Sequence, residues 1–145
     1  MSWKYKYDQL KKWIEGKGYS IVEGSRVEDS IVYEDLKIFI NTLSRIEYRF
    51  YTLLHECGHY LLFENSKVFL ETYPIFPSNV EDGRVERSVK YKVCLIAEEL
   101  KAWEKGWRLA HQLNLPVDQK KYHHCMVDAL WTYIADAAKP KTTIE

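Results

Sequence analysis

The spacing of hydrophobic residues changes period twice along the chain. In "YDQLKKWIEGKG", Leu10, Trp13 and Ile14 fall on one helical face and glycines follow, which predicts a short amphipathic helix. The next segments, "YSIVEG", "SIVYED" and "LKIFIN", are β-branched and aromatic runs broken by Gly24-Ser25 and Glu34-Asp35. They predict three short strands, expected as an antiparallel meander. Helical spacing then returns. Ser44 and Glu47 have the spacing of a capping box, with Leu43 and Tyr48 as its hydrophobic staple, so a helix is expected from about Arg45 to Phe63. Residues 64–83 hold Pro74, Pro77, Asn79 and Gly83 and are expected to form a long loop, of a length that usually serves a purpose.

Two more helices are expected beyond it. The first runs from about Val85 to Leu113 on the stripe Val85, Val89, Val93, Ile96, Leu100, Trp103, Trp107 and Ala110. Pro116 and Asp118 open the second, whose stripe is Tyr122, Met126, Ala129, Tyr133 and Ala137 and which ends before Pro140. The expected fold is therefore α+β: a small antiparallel three-stranded sheet packed on the helix at 45–63, with two further long helices, in one domain over 1–145.

Composition narrows the classes of function. Apolar residues make up 46% of the 145 positions and aromatics 14%, enough for a packed core and too much for a disordered chain. Formal net charge is zero and no basic stripe is present, so a nucleic-acid partner is not expected. No apolar run has the length of a membrane span and the first residues lack a signal-peptide core, which makes a cytoplasmic protein the expectation. Cys57, Cys94 and Cys125 are odd in number and widely spaced, as expected of reduced, buried thiols.

Chemistry concentrates in "RFYTLLHECGHYLLF", residues 49–63. His55 and His59 are four apart and share one helical face, where both imidazoles can reach one zinc ion. Glu56 projects at a different angle and suits a general base for a water in the open position. Gly58 costs about 1 kcal/mol against Ala inside a helix, which makes sense where something approaches the backbone closely.

A catalytic zinc usually takes three protein ligands. The candidates for the third are Glu98 and Glu99 in "AEELKAW". Measured from the apolar stripe, Glu99 lies roughly 70° off its centre and Glu98 roughly 170° off. Glu99 is therefore the expected ligand, and Glu98 is expected to face water, as is Glu104. His123, near the stripe of the last helix, is a candidate to stabilise an oxyanion or to serve as a spare ligand, and Tyr73 to supply a phenol from the long loop. A structural role is the alternative for both, and is the expectation for His111.

With His55, Glu56, His59 and Glu99 in this order, the chain resembles the zincin metallopeptidases of the gluzincin type, and Glu99-Leu100-Lys101-Ala102 is similar to their E-x-x-A pattern. Its compact order also resembles the ImmA/IrrE-like peptidases tied to phage and mobile-element regulation, or a related group of small phage or bacterial zincins. The resemblance implies a zinc-dependent peptidase acting on a peptide or protein, with strands that bind an extended peptide by edge pairing. The rival expectation is a non-catalytic, regulatory binding protein that keeps the zincin fold. A third is a hydrolase acting on a non-peptide amide.

Overall fold

A computed structural model describes residues 1–139. Ser2 accepts a hydrogen bond from the Tyr5 amide and caps helix α1 (Trp3–Glu15), which starts earlier than the apolar spacing alone suggests. Leu10 and Ile14 on its inner face are fully buried, a contribution of roughly 1.5–3 kcal/mol each.

Three strands follow: β1 (Ser20–Gly24), β2 (Ser30–Val32) and β3 (Lys37–Asn41). The expected antiparallel meander is not formed. The order is β1-β3-β2, with β1 parallel to β3 and β2 antiparallel to it, so the sheet is mixed. Burial explains why β3 takes the centre, since its Ile38 and Ile40 are fully buried against the helices. Asn41 holds the segment that carries the chain from β1 to the far edge. Its amide donates to Asp29 at 2.6 Å and its side chain donates to the Val27 carbonyl at 2.9 Å. β2 is thereby left as a short edge strand.

Helix α2 (Ile46–Glu64) matches the expected span, but its cap does not form. Leu43 is 78% exposed, and the Glu47 carboxylate turns away to accept from the Tyr51 hydroxyl at 2.6 Å. Arg49 closes the entry instead, donating to the Ser44 and Thr42 carbonyls. The expected loop at 64–83 contains helix α3 (Ser66–Thr72) and a single 3₁₀ turn at Pro77–Asn79. Asp82 and Ser88 cap two separate helices, the short α4 (Gly83–Glu86) and the long α5 (Val89–Gln112), where one continuous helix was expected. Asp118 caps α6 (Gln119–Ala137) as expected.

The inner face of α5 is rotated from the expected stripe. Cys94, Glu98, Glu99, Ala102, Trp103 and Gly106 are buried, while Val89 and Val93 are exposed. Two glycines set the packing of α5 on α2. A Cβ on Gly58 would stand 1.9 Å from the Ala102 carbonyl oxygen, and one on Gly106 would stand 2.5 Å from that of Leu54. The antiparallel pair therefore meets backbone to backbone at two levels one helical turn apart. The main core lies between α2, α1, the sheet and the inner faces of α5 and α6.

Candidate metal centre

The close crossing of α2 and α5 brings His55, His59 and Glu99 together. His55 Nε2 lies 2.9 Å from Glu99 Oε2, and both Glu99 oxygens lie 3.2–3.3 Å from His59 Nε2. Each residue offers a ligand atom, and the three atoms all lie within 4.8 Å of one another, so the group can hold a metal ion. The Trp103 ring stacks on His55 at 4.3 Å and 10°, which fixes the imidazole plane. Tyr33 donates to the carbonyl of His59 at 3.4 Å.

Burial makes these charges interdependent. It would raise the Glu99 carboxyl, but hydrogen bonds from His55 and His59 hold it well below the usual carboxylate range. Burial likewise works against a charged His59, yet its hydrogen bond to Glu99 and the Glu99 charge raise it to about 9. When His59 is protonated, it and Glu99 form a buried ion pair.

Glu56, only 4% exposed, lies beside the pair with its carboxylate 3.5 Å from His55 Nδ1. Burial raises its pKa above the ordinary value. It accepts no hydrogen bond among the described residues, and it lines an open cleft of about 870 Å³ together with all three potential ligands. This is a position from which a carboxylate can take a proton from water.

Glu98 does not face water. It is 3% exposed and accepts from Ser78 through the hydroxyl at 2.6 Å and the amide at 3.2 Å. It ties the 3₁₀ turn to α5 and so forms part of the cleft wall. Burial raises its pKa against the opposing influence of His59 and Ser78. An apolar stripe does not reveal this position, because the buried face of α5 carries two carboxylates.

His123 and Tyr73 are not brought to the cleft. His123 lies against the Trp107 ring at 5.2 Å, in a separate groove between α5 and α6. Tyr73 stacks on Phe69 at 4.8 Å and faces Lys101 and Arg108. The phenol beside the site comes from Tyr133 on α6 instead. Burial and then the Glu99 charge raise its pKa beyond the usual phenol range. Tyr133 stood on the inward stripe of the sequence and signalled packing rather than chemistry. His111 bonds the Trp107 carbonyl at 2.9 Å, a structural contact. Glu104 is partly exposed beside Lys101. Cys57 and Cys94 are buried free thiols as expected, while Cys125 is half-buried at the cleft.

In comparisons with known proteins, the chain matches no family model, no curated protein and no solved structure. Among the described residues no helix is long and apolar enough to cross a membrane.

Proposed function

We propose that this chain is a zinc-dependent metallopeptidase of the zincin class, in the gluzincin arrangement. The observation that carries the reading is the convergence of two imidazole nitrogens and one carboxylate beside a buried Glu56 that accepts no hydrogen bond among the described residues. The donors fit the ion. Metal–ligand distances of about 2.1 Å give a tetrahedron with edges of about 3.4 Å, close to the 2.9 Å and 3.2–3.3 Å between Glu99 and the histidines. Two imidazoles and a carboxylate suit zinc better than magnesium or calcium. No fourth His, Cys, Asp or Glu joins the group among the described residues, which favours an open catalytic site over a closed structural one.

When bound, zinc would supply the Lewis acidity that polarises a peptide carbonyl and activates water. The residues supply the rest. Glu56 accepts the proton of the attacking water, and its raised pKa suits both taking that proton and passing it to the leaving amine. The Tyr133 phenol can donate a hydrogen bond to the oxygen that becomes negative. Trp103 holds His55 in plane, and the free edge of β2 beside the cleft can pair with an extended peptide.

Glu56→Gln tests the reading. The variant is expected to bind one zinc per chain like the wild type and to lose about 10²–10⁴-fold in peptide hydrolysis. Undiminished hydrolysis, or zinc lost together with activity, would remove Glu56 from the role of base.

A further inference from the structure

The walls of the cleft carry one sign of charge. Glu28 and Asp29 stand where the chain enters β2, and Asp128 and Asp136 line the same cleft from α6. No Lys or Arg lines the cleft among the described residues, although the whole chain has as many basic as acidic side chains. Neutralisation at the rim is slight. Asp136 meets Lys139 at 2.9 Å and Asp128 meets His124 at 3.3 Å, both in exposed pairs. Glu28 makes no ion pair among the described residues, and Asp29 is engaged by the Asn41 amide alone. These four acids line the cleft of a site that already points to a ligand, through the converging metal donors and a buried Glu56 that accepts no hydrogen bond among the described residues.

Spacing adds direction to charge. Asp128 and Asp136 are eight residues apart on one face of α6, about 12 Å along its axis. Side chains on one face of an extended peptide recur every ~6.7 Å, so two such repeats nearly match that distance. β2 also lines the cleft, through Ser30 and Ile31, so a peptide pairing with its free edge would lie in a cleft that carries all four acids.

From this we infer that the cleft takes cationic peptides, with Lys or Arg at alternate positions, held in extended form between Glu28–Asp29 and Asp128–Asp136. The inference rests on the peptidase reading for the cleft's role and adds the class of substrate. Selection acts through exposed charges, so it is steep at low salt and fades as salt screens it.

The test separates binding from cleavage. Zinc-loaded Glu56→Gln protein is titrated with fluorescent peptides of equal length carrying alternating Lys, alternating Glu, or alternating Ser. The Lys peptide is expected to bind at least about tenfold more tightly than either at low salt, with the preference lost at high salt. The double variant Asp128→Lys, Asp136→Lys is expected to reverse the order, with an unchanged melting temperature as the check on folding. Wild-type protein with zinc is then assayed for cleavage of the same three peptides. Equal binding of the three, or a preference untouched by the double variant, overturns the inference. Cleavage of the Ser peptide as fast as the Lys peptide overturns it too, while sparing the peptidase reading. Tight, charge-dependent binding without cleavage of any peptide sinks the peptidase reading and leaves the cationic occupant standing.

Discussion

Glu98 and Glu99 are consecutive on α5, and a helix turns them 100° apart. That angle gives them separate tasks. Glu99 reaches both histidines, while Glu98 reaches Ser78 on the 3₁₀ turn. Elemental analysis of the two alanine variants distinguishes them. On the proposed zinc site, Glu99→Ala is expected to lose most bound zinc at micromolar metal, because one of three ligands would be gone. Glu98→Ala is expected to keep one zinc per chain and to lose the bond that holds the cleft wall. Equal loss of metal in both would mean that Glu98 also holds the ion. The sequence made His55, Glu56 and His59 legible, because helical spacing alone decides which of them share a face. Glu99 was legible by its place on the shoulder of the stripe. Glu98 and Tyr133 were not, because a buried carboxylate bonded to a serine and a phenol turned to a cleft have no local signature. Their roles depend on elements distant in sequence.

At the scale of elements, the position of Glu99 depends on the α2–α5 crossing, and two residues without side chains set that crossing. Gly58→Ala would force the two helices apart or distort one of them, since the new Cβ meets the Ala102 carbonyl oxygen at 1.9 Å. The expected cost is at least about 1–3 kcal/mol of stability, with weaker zinc binding although no ligand is touched. Gly83→Ala is the control, because there a Cβ meets only the long Arg87 side chain at 3.7 Å. Chemical denaturation and zinc titration measure both effects, and a Gly58→Ala protein as stable as the control would refute the argument. The cost of Gly58 inside a helix hinted at a close approach, but not that the partner was a second helix. The strands show the same limit. Their residues were recognisable from β-branched runs, yet their order was not, because nothing local tells which strand will be central. That depended on where Ile38 and Ile40 could be buried.

For the whole molecule, the buried pair of His59 and Glu99 links stability to pH in opposite senses with and without metal. His59 is raised from 6.5 to about 9, so its contribution is complete below pH 6.5 and is lost as pH rises through 9. Glu99 is lowered from 4.5, so its contribution is complete above pH 4.5 and is lost as pH falls further. With a chelator present, the melting temperature is therefore expected to fall between about pH 6 and pH 9. A zinc ion held by His59 as proposed would have to displace its proton, so the increment in melting temperature on adding zinc is expected to grow over the same interval. Thermal melts at both pH values, with and without zinc, measure the two trends. A zinc increment that is larger at pH 6 would contradict them.

The backbone contact between α2 and α5 also sets a hierarchy of opening. Around Leu54 and Gly58 on one helix and Ala102 and Gly106 on the other, the two backbones leave no room for a side chain between them. Amide protons at that crossing can exchange with solvent only when the pair separates, which amounts to unfolding the core. The 3₁₀ turn at the cleft wall is held to α5 through Ser78 and Glu98 and by the buried Phe76 and Pro77, and its amides are expected to exchange sooner than those at the crossing. Hydrogen exchange is thus expected to be faster at the entrance of the cleft, while the atoms that would grip the metal keep the clock of global unfolding.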